Sequence, residues 1–161
     1  MSLPPGSSGN TGTATCPNGA VAIGGGFTTN AYDYDRPNIK TAATFADFTN
    51  PAVWNVEMRN DSLGYYSGGV QAICTTQTNR TRPTGKTLSV GADSTLYDSD
   101  DCGSANSVAV AGGYRTVGDF PTSVVTGFLP TQGSVPQWKI NLSNPDAVTR
   151  RVSTFHACLP M

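Results

Sequence analysis

Two stretches decide how this chain folds: Trp54-Asn55-Val56-Glu57-Met58-Arg59-Asn60 and Trp138-Lys139-Ile140-Asn141-Leu142-Ser143-Asn144. In each, apolar residues (Trp54, Val56, Met58; Trp138, Ile140, Leu142) alternate with polar ones. A period of two predicts a half-buried β-strand with one apolar face. Each stretch ends on an asparagine, which the spacing places at a strand end, as a turn residue that tolerates left-handed backbone. Working outward, each is preceded by a cysteine, a short apolar run and Gly-Gly-aromatic. These are Cys16 with Val21-Ala22-Ile23-Gly24-Gly25-Gly26-Phe27, and Cys102 with Val108-Ala109-Val110-Ala111-Gly112-Gly113-Tyr114. Each is followed, at the same distance from its tryptophan, by a closing cysteine: Val70-Gln71-Ala72-Ile73-Cys74 and Thr154-Phe155-His156-Ala157-Cys158.

Shared types at shared spacings predict an internal repeat. The glycines mark a bulge or a close backbone approach. Further strands are expected at Thr87–Val90 and Val124–Leu129, and no segment carries a 3.6-residue period. The expected fold is all-β: two tandem, pseudo-symmetric antiparallel repeats in a β-sandwich or barrel-like body, with two separate small domains as the alternative. Residues 1–14, rich in Gly, Ser and Thr, have linker composition and are expected to form an extended N-terminal arm. The remaining boundaries are 15–76 for the first repeat, 77–100 for a junction with one strand, and 101–161 for the second repeat.

Composition agrees. The 161 residues include 18 Gly and 11 Pro, with one Glu and few Lys, so strong helix formers are scarce. Only 13% of residues are charged and the net charge is -1, which argues against a nucleic-acid partner. No apolar run is long enough for a membrane span. Met1-Ser2-Leu3-Pro4-Pro5 has neither the basic nor the apolar region of a secretory signal.

Four cysteines allow three pairings. The repeat selects Cys16–Cys74 with Cys102–Cys158, the same bond made twice, each worth roughly 4 kcal/mol in the chain-entropy model. Disulfides imply an oxidising compartment or an extracellular particle. Zinc would need close ligand pairs, and no Cys-x-x-Cys occurs.

Candidates for chemistry are few. His156 sits inside a closing strand, and Glu57 alternates outward from Trp54. Neither His156 with a serine and an acid, nor the acidic clusters Asp33/Asp35 and Asp93/Asp98/Asp100/Asp101, forms a convincing catalytic set, so no enzyme is expected. Asp98, Asp100 and Asp101 offer hard oxygens that suit Ca²⁺, against the simpler reading of a solvated turn; otherwise no cofactor is expected. Arg80, Arg82 and Lys86 read as solvated loop charge. Asn60-Asp61-Ser62, Asn79-Arg80-Thr81 and Asn141-Leu142-Ser143 match the glycosylation sequon. Tyr32, Tyr34, Tyr65 and Tyr66 lie in polar loops, where tyrosine stacks on sugars or anchors a protein interface.

The pattern Cys, Gly-Gly-aromatic, Trp-x5-Asn, Cys, spanning Cys16–Cys74 and Cys102–Cys158, resembles a cysteine-bounded repeat of secreted bacterial proteins, especially actinobacterial ones. The resemblance implies an extracellular setting and carries over no catalytic residue. The missing export signal departs from it and leaves room for a phage protein built from the same module. The expected function is therefore a non-enzymatic structural or adhesive module at an extracellular or virion surface, as a capsid decoration or tail protein. Its arm would dock on other copies of itself or on a major structural protein. The alternative is a secreted carbohydrate-binding module with glycans as partners.

Overall fold

The computed structural model describes residues 1–32, 34, 38–47, 49–76, 84–104, 106–117 and 134–160, and the backbone of 124–131. The described residues are all-β, with antiparallel sheets and no closed barrel. No helix among them is long and apolar enough to cross a membrane. The chain divides into two compact units, Met1–Thr76 and Gln77–Met161.

The first unit contains β1 (Ser2–Leu3), β2 (Ser7–Thr15), β3 (Val21–Thr29), β4 (Ile39–Ala46), β5 (Val53–Asn60) and β6 (Tyr66–Thr75). They form two three-stranded arrangements, β1-β6-β3 and β2-β5-β4. The alternation read from the sequence holds, since Trp54, Val56 and Met58 are all buried on β5. The Trp54 ring edge lies against Gly25 on β3, which packs one layer on the other. The indole N–H donates to Thr44 Oγ1 at 3.0 Å. The close approach expected of the glycine run is thus real, and β3 also bulges between Ala22 and Gly24.

Residues 1–14 are not a free arm. Leu3 is fully buried, and β2 pairs with β5 from Ser7 opposite Asn60 to Thr15 opposite Val53. Linker composition misled because the inward positions of β2 face a crowded corner. A Cβ on Gly12 would stand 2.7 Å from Val70 Cγ2 and 3.1 Å from Met1 Sδ. Only small residues fit there, so the strand carries none of the large apolar residues that mark its neighbours.

The second unit contains β7 (Thr84–Val90), β8 (Ser94–Asp101), β9 (Ser107–Val117), β10 (Val124–Thr131), β11 (Gln137–Asn144) and β12 (Arg150–Pro160). Its strands are joined as β7-β12-β9 and β8-β11-β10. Counted within each unit, this is the order of the first. The stretch 77–100, expected to hold one strand, holds β7 and most of β8. The core gathers Val90, Tyr114, Ile140, Leu142 and Val152, with Leu88 and Leu96 against it. Here Trp138 lies against Gly112 as Trp54 lies against Gly25.

Both expected disulfides form, Cys16–Cys74 and Cys102–Cys158. Cys16 and Cys102 follow β2 and β8, whereas Cys74 and Cys158 lie on β6 and β12. Each bond therefore staples one layer of its unit to the other.

Asn60 and Asn144 act differently from the turn residues read from the sequence. Among the described residues the one non-glycine with positive φ is Asp93, so neither asparagine is left-handed. Both are buried, and both use their side chains to tie three backbone segments together. Asn60 Nδ2 donates to the carbonyls of Leu3 (2.9 Å) and Gly64 (2.8 Å), and its Oδ1 accepts from Ser62 N and Oγ. Asn144 Nδ2 donates to the carbonyls of Val90 (3.1 Å), Gly91 (2.8 Å) and Val148 (2.9 Å), and its Oδ1 accepts from Asp146 N. Truncating either leaves buried carbonyls and an amide unsatisfied. Asn60→Ala is expected to cost about 3 kcal/mol. Asn60→Asp should cost at least as much, because a carboxylate would face two carbonyls. Urea unfolding midpoints of the two variants check this; a midpoint unchanged by Asn60→Ala would contradict the network's role.

Candidate functional site

The tyrosines chosen from the sequence separate into roles once the first unit is folded. Tyr32 and Tyr34 follow β3, and the base of their loop is pinned to β6. Asn30 N donates to Ser67 O at 3.2 Å, and Ser67 N donates to Asn30 Oδ1 at 2.7 Å. The Tyr32 and Tyr34 rings stack with centroids 5.6 Å apart and planes within 11°. Tyr32 also meets Tyr66 edge-on at 6.4 Å.

Exposure assigns the parts. Tyr32 and Tyr34 are 64% and 75% exposed, whereas Tyr66 is 6% exposed, with its ring against the backbone of Gly64. Tyr66 is thus a buried support rather than a displayed ring. Tyr65, just before β6, is exposed. The sequence reading of four equivalent surface rings reduces to a displayed pair on a buried third. Asp33 and Asp35, on either side of Tyr34, lie outside the described residues.

In the second unit the acidic cluster is not a solvated turn. Asp98 and Asp100 sit on β8 and share one face by alternation. Lys86 on β7 reaches between them, with Nζ 2.7 Å from Asp98 Oδ2, 2.8 Å from Asp100 Oδ1 and 3.1 Å from the Ser99 carbonyl oxygen. His156 Nδ1 lies 3.6 Å from Asp100 Oδ2. Asp101 belongs to the other face, where its Oδ1 accepts from Gly103 N at 2.9 Å.

These facts correct two expectations. Lys86 is a strand-borne cation that bridges from β7 to β8 of the other sheet rather than loop charge; Arg80 and Arg82 lie outside the described residues. The Ca²⁺ reading of Asp98, Asp100 and Asp101 also falls. The lysine ammonium occupies the space between the first two carboxylates, and the third points away. Among the described residues no group of three or more His, Cys, Asp or Glu is disposed to hold a metal.

Partial burial pulls the Lys86 pKa down. The hydrogen bonds and charges of Asp100 and Asp98 outweigh that and leave it raised above its usual 10.5. A raised lysine contributes stability that is present below the unfolded value and lost as pH climbs through the folded one. Thermal unfolding of the second unit should therefore fall above about pH 10.5, and Lys86→Met should flatten that fall. Millimolar Ca²⁺ should leave the melting temperature of the unmodified protein unchanged. A Ca²⁺-dependent rise, or a fall in Lys86→Met as steep as in the parent, would refute this reading of the cluster.

Strand-borne polar residues complete the survey. Glu57 stands on β5 opposite Thr11 and Ala43. The Asn60 sequon is buried by the network above, which keeps it from a glycosyltransferase in the folded chain. Asn141 lies within β11, and Asn79 falls outside the described residues. The asparagine networks and the lysine bridge escaped the sequence reading. The matched Trp-x5-Asn spacing was the signal for the first, and the Lys86/Asp98/Asp100 bridge leaves no local signal.

Compared with protein-family models, with curated proteins and with solved structures, the chain matches none.

Proposed function

We propose that the chain is a duplicated β module that serves as a non-enzymatic structural or adhesive element in an oxidising, extracellular setting. In its sharpest form it is a capsid decoration or tail component at a virion surface. Duplication is supported by the matching strand order of the two units, by a disulfide, a tryptophan-on-glycine contact and an asparagine network recurring in each, and by β-bulges at corresponding positions. Ala22/Gly24 and Thr41/Ala43 in the first unit correspond to the shifts at Ala157/Cys158 and Val125/Gly127 in the second. The two disulfides support the setting.

The observation that carries adhesion is the stacked, exposed Tyr32–Tyr34 pair, held on a buried tyrosine within a cross-linked unit. Rigid aromatic side chains lose little entropy on contact, and tyrosine is enriched at interface hot spots. Residues 1–14 supply β1 and β2 of the body, so contact is assigned to the tyrosine loop.

The test is quantitative mass spectrometry of gradient-purified particles against particle-free supernatant of the source culture. The reading expects the chain to band with particles at a fixed ratio, and Tyr32→Ala/Tyr34→Ala to leave them without unfolding. A chain that stays in the supernatant overturns the virion form.

The second reading is glycan binding. It is favoured by the strong exposure of Tyr34, whose ring stacks on Tyr32. A glycan array decides it: saturable binding that drops at least about fivefold in Tyr34→Ala supports it, given about 1 kcal/mol or more for an aromatic stacking contact.

A further inference from the structure

The outward face of β7-β12-β9 in the second unit is basic. Val152 and Thr154 are buried on β12, so alternation turns Arg151, Ser153 and Phe155 outward. Tyr114 is buried on β9, which turns Arg115 outward in the same way. The register sets these residues in rows. Arg151 stands between Ser89 and Val117, Ser153 between Thr87 and Arg115, and Phe155 between Gly85 and Gly113. Arg115 and Arg151 are thus diagonal neighbours on adjacent strands, about 7 Å apart at their backbones. Both are exposed. Beside them Thr87 Oγ1 and Ser153 Oγ share a hydrogen bond of 3.0 Å. The half-buried Phe155 ring lies against Gly85, where a Cβ would stand 2.7 Å from Phe155 Cδ1.

Charge sets this face apart. Lys40 and Arg59 meet Asp61, Lys86 meets Asp98 and Asp100, and Arg150 meets Asp146. The strands β7, β9 and β12 contain no Asp or Glu. Their outward face therefore combines two guanidiniums with hydroxyls and an apolar ring, in a chain whose net charge is -1.

The first unit supplies a comparison on the same strand order. Arg115 stands opposite Ser153 as Thr28 stands opposite Gly69, so Thr28 holds the place of Arg115. Ser67, seven residues before its closing cysteine, holds the place of Arg151. Gln71 holds that of Phe155. The first unit thus builds the same pair of strands with Thr and Ser at these two points, and neither arginine is required to form the sheet.

We propose that this face binds an acidic polysaccharide through the carboxylates of its uronic acid units. A guanidinium fork takes a planar carboxylate through two parallel hydrogen bonds. The hydroxyls of Thr87 and Ser153 donate to and accept from sugar hydroxyls. Phe155 offers an apolar surface beside them for the C–H face of a pyranose. Two cations are too few for the other common polyanions. A nucleic acid is held by a longer track of phosphate contacts, and an anionic membrane by clusters of about four to eight basic residues. The site belongs to the second unit and does not rest on the tyrosine loop of the first.

Isothermal titration calorimetry of the full oxidised chain with a hexamer of galacturonic acid tests the proposal. It expects saturable binding that weakens as salt rises, with the neutral galactose hexamer of the same linkage inert. Arg151→Gln should weaken binding at least about tenfold, because hydrogen bonds between charged groups are lost. Arg115→Thr/Arg151→Ser, which installs the residues of the first unit, should abolish binding while both disulfides and the β-sheet circular dichroism are kept. Tyr34→Ala should leave binding unchanged. Absence of saturable binding overturns the proposal, as does binding that survives Arg115→Thr/Arg151→Ser. A loss in Tyr34→Ala alone also overturns it, and moves the sugar to the tyrosine loop. Equal or tighter binding of polyglutamate, single-stranded DNA or anionic vesicles overturns it as well, and assigns the face to a peptide, a nucleic acid or a membrane.

Discussion

Removing residues 1–14 is expected to unfold the first unit. Three losses coincide. Leu3, fully buried, leaves the core at a cost of about 2–3 kcal/mol. β2 no longer covers β5, exposing one edge of the strand that carries Trp54, Val56 and Met58. Asn60 loses the Leu3 carbonyl that its amide bonds. Domains of this size hold about 5–15 kcal/mol in total, and loss of a strand and a core residue together exceeds what one unit can spare. Trp54 reports the result when Trp138→Phe silences the second unit. Its emission should shift to that of a solvated indole, and amide exchange across β5 should lose protection. The linker composition of the same residues predicts the opposite, an intact body that fails only to assemble. Retained Trp54 burial in the truncated chain would restore that earlier reading.

Gly25→Ala and Gly112→Ala are each expected to destabilise by about 3 kcal/mol, near the upper end of the ordinary cost of overpacking. A Cβ on Gly25 would overlap Trp54 Cδ1 and stand 2.5 Å from the Gln71 carbonyl oxygen. The ring cannot swing aside freely, since its N–H is held by Thr44. The Gln71 oxygen belongs to the paired backbone of β6. At Gly112 the added carbon would overlap Nε1 and Cε2 of the Trp138 indole. Gly26 is the internal control: a Cβ there meets nothing within 4 Å, so Gly26→Ala should stay within about 1 kcal/mol of the parent. Urea unfolding of the three variants decides it. Equal midpoints for Gly25→Ala and Gly26→Ala would mean that the ring does not rest where the structure places it.

These results show which features were local enough to be read directly. The strands β5 and β11 were legible because their alternation is a property of consecutive residues. The disulfide pairing was legible because it follows from equal spacing. β2 was not, since its inward residues had to be small, and smallness in a polar segment looks like a linker. β8 was misread as a loop for a related reason. Its inward residues Asp98 and Asp100 are acidic, which argues against a strand until Lys86 is placed between them. For the candidate site, tyrosine identity singled out the residues, not their separate roles. The division into a displayed pair and a buried support depended on how β6 meets the β3–β4 loop.

By itself the sequence determined the all-β class, the positions of the strongest strands, both cross-links and the oxidising setting they imply. Each rests on a period or a spacing, and such patterns survive without knowledge of neighbours. Only the tertiary structure decided that the N-terminal residues belong to the body, that Asn60 and Asn144 are buried ties rather than turns, and that Lys86 bridges Asp98 and Asp100. Each of these depends on which groups distant in the chain become adjacent. Burial, hydrogen-bond satisfaction and charge neutralisation are properties of that adjacency, and no local stretch of residues encodes them.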